Sequence, residues 1–251
     1  MRTCFLLSLF ACCASTIWAQ ANCRTALGVP CYTIQASRTQ WQMFMKGSHQ
    51  ITKWVSTSVD ALRSDGSHVD IGDNSAWRLT GPNLHFKGSR FYLASQNQIV
   101  TVDETKQTIM RREPLFWHDL PYRHSTAHDG TCASGIRHAG TDFTRKETAQ
   151  VAGVEVVRWY RPLGNGGYEE QYLAPSLNCI ALKSYSIQKS SLHLPTFITS
   201  SEATSVQFGQ PAPALFNLPT GYRRLQPPQA WLQKMQTAPA HGRETKVLLP
   251  H

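Results

Sequence analysis

From residue 51 to residue 208 the chain is cut into short alternating runs, each ended by turn residues a few positions on. This constrains the fold more than any other feature. A period of two buries one side of an extended strand, whereas a helix needs an apolar stripe with a period near 3.6. Residues 54–63 read as a half-buried strand, Ser64-Asp65-Gly66-Ser67 as a turn on an Asp-Gly pair, and 68–71 as the returning strand. Runs at 76–80, 90–94, 98–103 and 107–111 follow at short intervals, as in an antiparallel meander. None is the continuous apolar run of a buried parallel strand. The expected fold is mainly β: a single domain built on a curved, half-barrel-like antiparallel sheet with short helices.

The rhythm breaks between residues 113 and 140, where Pro114, Pro121, two His-Asp pairs and Cys132 show no period of either kind. That stretch reads as a long loop or insertion, the usual place for a site. Strands resume at 143–152, 154–160, 168–173, 179–187 and 197–208, with a turn at 162–167. Pro211, Pro213 and Pro219 punctuate a closing arm laid over the sheet, and 22–225 forms the β-rich domain. Residues 226–251 read as a tail with a short helix at 229–235 opened by Pro228, then disorder. The segment 39–45 is ambiguous between helix and strand.

Residues 1–21 have the form of a secretory leader: Arg2, an apolar run to Trp18, and the small-x-small site Ala19-Gln20-Ala21. The expected location is periplasmic or secreted, with cleavage near Ala21. Leu9-Phe10-Ala11-Cys12 loosely resembles a lipidation signal, but the apolar run continues past Cys12 and the later site fits better. No later stretch is apolar for the length a membrane span requires. Cleavage removes Cys4, Cys12 and Cys13 and leaves Cys23, Cys31, Cys132 and Cys179. Four cysteines in an oxidising compartment read as two disulfides, for which three pairings exist. The favoured pairing is Cys23–Cys31 with Cys132–Cys179, for which the chain-entropy argument gives about 2.5 and about 4 kcal/mol. With Arg2 gone, 24 of 25 Lys and Arg remain against 16 Asp and Glu, a formal charge of +8. The basic residues are dispersed. They form a solvated surface suited to an anionic envelope component such as lipid headgroups, and export sets nucleic acid aside.

Three stretches of the second half carry a resemblance: the strand after Val151-Ala152-Gly153, residues 169–183 (EEQYLAPSLNCIALK), and residues 210–222 (QPAPALFNLPTGY). Over about 54–111 and 140–222 the chain resembles a large group of uncharacterised secreted bacterial proteins and, more distantly, the LolA/LppX/RseB-like envelope domains. The resemblance implies a curved antiparallel sheet forming half a barrel over an apolar cavity. It brings no catalytic residues. Carriers of that type close the cavity with helices, which are not read here.

Candidate sites are few. His118-Asp119, His124, His128-Asp129 and His138 offer nitrogen and carboxylate ligands suited to Zn²⁺, although Pro121 and Gly130 oppose a helix that would align them. A solvated His-rich loop is the plainer reading. No Gly-x-Ser-x-Gly is present, and Glu169-Glu170 would face opposite sides of a strand. Asp65, Ser67 and His68 are explained by their turn. Trp54, Trp77, Phe91 and Trp159, with Trp41 and Trp117, have the character of either ordinary core or a concave lining for an acyl chain.

The expected function is non-enzymatic binding of an apolar ligand, a lipid or lipidated protein partner, on the concave sheet at Trp54, Trp77, Phe91 and Trp159. Two alternatives stay open: a structural or protein-interaction module without ligand, and a metal-dependent hydrolase using His118, His124, His128 and His138. No cofactor is called for.

Overall fold

The computed structural model describes residues 23–43, 51–78, 83–114, 132 and 143–229. The strands are β1 (Tyr32–Gln42), β2 (Thr52–Leu62), β3 (His68–Arg78), β4 (Leu84–Leu93), β5 (Gln98–Asp103) and β6 (Thr108–Arg112) in the first half. The second half adds β7 (Thr144–Val151), β8 (Val154–Pro162), β9 (Tyr168–Ala174), β10 (Ile180–Lys189), β11 (Pro195–Phe208) and β12 (Arg223–Leu225). They form one sheet in the order β12-β6-β5-β4-β3-β2-β1-β11-β10-β9-β8-β7, with two free edges and so no closed barrel. Every pairing is antiparallel except β12 on β6.

The sheet is curved. Strands β1 and β7 stand five positions apart in the sheet order, about 24 Å along a flat sheet at the usual strand spacing. Yet Tyr32 and Ile34 share one buried cluster with Val151, Val154 and Leu177. A bulge in β10 between Ala181 and Lys183 assists the bend. It leaves Leu182 as an extra residue, buried in that cluster.

Strand β1 is the element the sequence conceals. Its lower half, Ser37-Arg-Thr-Gln-Trp-Gln42, has no apolar alternation, yet it lies mid-sheet between β2 and β11. Backbone hydrogen bonding on both sides holds it extended, while its hydroxyl and amide side chains stay partly hydrated. Strand β3 likewise runs unbroken from His68 to Arg78, joining two runs that the sequence separates at Gly72-Asp-Asn-Ser75. The helical elements among the described residues are short 3-10 turns.

The core gathers toward one end of the strands, the end that carries the β2–β3, β4–β5, β7–β8 and β9–β10 connections. Leu62, Val69, Ile99, Val100, Val156 and Leu177 are all sealed there. The turns at that end are tight. Gly66 adopts φ 81° in the Asp-Gly turn, where the Ser67 N–H donates to Asp65 Oδ1 at 2.8 Å. Asn97 and Asn178 close the 3-10 turns Ala94–Gln96 and Pro175–Leu177 in the left-handed region that asparagine tolerates. The Cys23–Cys31 bridge ties down the loop leading into β1, with the Cα atoms 5.3 Å apart. The Cys132–Cys179 bridge, at 5.4 Å, is buried with Val157, Trp159 and Leu173. Burial, and then the Asp60 carboxylate to which it donates, push the Tyr32 phenol well above its usual range.

Candidate functional site

The pairing register separates the two faces of the sheet. Ala61, Val69, Phe91, Val100, Val102 and Ile109 stand on one of them in adjoining strands. The segment after β11 crosses this face. It is tied at its start by the Gly209 N–H to the Cys31 carbonyl at 3.0 Å, and by the Ser64 N–H to Gln210 Oε1 at 3.3 Å. Pro213–Phe216 then forms a 3-10 turn whose Phe216 is buried against those six residues, with Leu215, Leu218 and Tyr222 packed beside it. The Arg63 guanidinium covers the Phe216 ring at 5.0 Å. Beyond Tyr222 the chain leaves the face and adds β12 to the sheet edge.

The arm does not fill the space beneath it. A cavity of about 400 Å³ lies between arm and sheet, lined by Ile71, Phe91, Leu215, Leu218 and Pro219, with Ser89 and Glu104 among its polar members. A second depression of about 220 Å³ adjoins it, lined by Gln35, Ser37, Thr57, Val59, Ile71 and Asp73. Ile71 belongs to both. The register explains why the two are continuous: Gln35 faces Val59, Val59 faces Ile71, Ile71 faces Ser89, and Ser89 faces Val102. The result is a groove that mixes apolar and polar side chains along its length: Ile71, Phe91 and Leu215 beside Ser89 and Glu104 under the arm, and Ala36 and Val59 beside Thr57 and Ser58 toward β1. Its flank carries the Lys87–Glu104 ion pair at 3.0 Å and a hydrogen bond between His85 Nε2 and Asp73 Oδ1 at 2.7 Å. Glu104, by its hydrogen bond and its charge, holds the Lys87 ammonium above its usual range.

The four aromatic residues assigned to a common lining do not form one. Phe91 lines the cavity beneath the arm and is almost fully buried. Trp77 shares its face but stands near the end of β3, 47% exposed. Trp54, opposite Gln40 and Ala76, lies on the other face, and Trp159 is buried in a separate cluster beside the Cys132–Cys179 bridge. Pleat parity decides this: residues 54 and 77 sit on adjacent strands but not in the same register row. The residues that the sequence reading missed are Val59, Ile71, Leu215 and Leu218. The only signal for them was the proline-punctuated arm, which does lie over the sheet. His118, His124, His128 and His138 fall outside the described residues, as do residues 1–22 and 230–251. Among the described residues no three His, Cys, Asp or Glu converge on a metal position.

No protein-family model and no curated protein matches the sequence. Solved structures do resemble the fold at low sequence identity. One is an uncharacterized conserved protein from Thermus thermophilus, at 7% identity over 85% of this chain and 99% of that one, with a TM-score of 0.40. Another is a chain of the Pseudomonas aeruginosa MucA/MucB complex, at 14% identity over 77% of this chain and 58% of that one, with a TM-score of 0.38. A third is a LolA superfamily protein from Nitrosomonas europaea, at 5% identity over 82% and 97%, with a TM-score of 0.30.

Proposed function

We propose that this chain is an exported, non-enzymatic binding domain whose groove beneath the arm takes an apolar ligand, the acyl chain of a lipid or of a lipidated partner. One observation carries the reading: two adjoining cavities share Ile71 and are floored by an in-register row running from Gln35 to Ser89. A groove that sets apolar side chains beside hydroxyl and carboxylate groups suits a molecule with a tail and a polar head. The arm, anchored by Phe216, roofs part of the groove. Export is supported by the leader pattern of residues 1–21, and the two disulfides suit an oxidising compartment.

Native mass spectrometry of the purified protein tests the reading, followed by titration with a fluorescent fatty acid. Wild-type protein is expected to carry or take up one acyl ligand. Ile71→Trp, which fills the junction of the two cavities, is expected to abolish uptake while leaving the thermal transition in place. Equal uptake by the folded variant, or none by the wild type, rejects the groove as the site.

A further inference from the structure

The end of the sheet opposite the core has its own character, and the groove does not account for it. Phe197 faces Gln42, Gln42 faces Thr52, and Thr52 faces Arg78, so the β10–β11 hairpin tip and the end of β3 lie at one rim. Of the nine large hydrophobic residues left exposed among the described residues, Trp77, Leu84, Leu192 and Leu194 lie there, with Val55 and Phe86 a little further in. From β11 to β4 they span four strand spacings, about 19 Å. Leu192 and Leu194 are the most exposed of the nine, at 76% and 61%. Their turn is nevertheless fixed. The Ser190 N–H donates to the Leu194 carbonyl at 2.8 Å, and His193 donates through Nδ1 to the Asn165 carbonyl of the neighbouring turn at 2.9 Å. Two leucines are held outward by a rigid tip.

Among the described residues the charges at this rim are of one sign. Residues 41–43, 51–54, 76–78, 83–86, 162–168 and 187–198 contain no carboxylate but include Lys53, Arg78, Lys189 and two histidines. The nearest carboxylates are each engaged: Asp73 by a hydrogen bond with His85, and Glu104, Glu147 and Glu169 by the cations Lys87, Arg158 and Arg161. Among the described residues Lys53, Arg78 and Lys189 have no carboxylate partner, and the Lys53 ammonium lies 5.1 Å above the Trp41 ring.

We infer that this rim docks edge-on to a bilayer bearing anionic headgroups. Leu192 and Leu194 enter the acyl boundary, Trp77 lies at headgroup level, and Lys53, Arg78 and Lys189 meet lipid phosphates. Protruding apolar tips flanked by tryptophan and snorkelling cations match that interface. A protein partner would instead be expected to meet a contiguous patch with an aromatic centre. Because the rim is separate from the groove, docking does not depend on ligand uptake.

Co-sedimentation of the purified protein with phosphatidylcholine vesicles, with and without phosphatidylglycerol, tests this. Binding is expected to the anionic vesicles only and to fall as salt rises. The double substitution Leu192→Ser with Leu194→Ser is expected to weaken it about tenfold or more, since neither side chain is core. Lys53→Glu with Lys189→Glu, a second route should the first variant misfold, is expected to weaken it about fivefold or more. Absence of binding to anionic vesicles at low salt overturns the inference and gives the rim to a protein partner. Undiminished binding by either folded variant also overturns it. Acyl uptake in the groove is expected to survive both variants, so failure of docking and failure of the groove are separable.

Discussion

The two ends of the sheet are built from the same strands and use their side chains differently. At the packed end the alternation drives Leu62, Val100, Val156 and Leu177 out of water, and two tight 3-10 turns and a disulfide hold the chain in place. At the rim the same alternation leaves Trp41, Ile187, Phe197 and Ile198 half-buried and Trp77 and Leu194 exposed. Between them lies a belt of hydroxyls, including Ser56, Thr57, Ser58, Ser184, Ser186, Ser200 and Ser201. Burial of apolar area is the main stabilising term, so the packed end holds the fold together. Aromatic and leucine side chains at the rim add little to that term. They remain free to meet something else.

Equilibrium unfolding in urea puts this contrast to the test. Phe91→Ala, in the core beneath the arm, is expected to cost about 3–5 kcal/mol, seen as a large fall in the midpoint. A loss below about 1 kcal/mol would place the core elsewhere. Replacing Cys23 and Cys31 together by Ser is expected to cost about 2.5 kcal/mol, because it frees the loop that enters β1 in the unfolded chain. Asp70 is a smaller case. Desolvation beside the packed end, then the Asp60 carboxylate directly opposite, raise its carboxyl above the usual range, although the residue stays solvent-exposed. A raised folded-state pKa makes the wild-type contribution favourable at low pH and lost as pH rises through the folded value. Asp70→Asn is therefore expected to gain about 0.2–1 kcal/mol at neutral pH by removing a like-charge cross-strand pair. That gain should vanish in acid, and a gain independent of pH would reject the argument. Trp77→Ala at the rim is expected to change stability by less than about 0.5 kcal/mol. A cost near that of Phe91→Ala would mean the rim is core after all.

Most strands were legible because their turns are. Asp65-Gly66, Gly164-Asn-Gly-Gly167 and Pro175-Ser-Leu-Asn178 each demand backbone conformations that few other sequences supply, so the interruptions betray the strands between them. Strand β1 escaped because its lower half carries no apolar alternation. Its position between β2 and β11 is set by pairing, which a single sequence does not display. The site was half legible. The proline-rich arm announced itself as a cover, and Phe91 was among the residues assigned to a lining. Trp54 and Trp159 were misplaced in that lining, because a residue's face depends on register and on the bulges in β10 and β11, which shift parity without a sequence mark.

Local chemistry was already settled in the order of residues: a mainly extended chain, its turns, an arm that cannot continue a strand, and Cys23, Cys31, Cys132 and Cys179, which pair as two disulfides. Those follow from side-chain period, φ preference and redox setting, each readable over a few residues. Folding in three dimensions was needed to join twelve strands in one open sheet, to bend that sheet until β1 and β7 share a core, and to stop the arm short of filling its groove. It also brought apolar tips to one rim, with cations that have no carboxylate partner among the described residues. These depend on long-range pairing and packed volume, and such quantities exist only once distant segments touch.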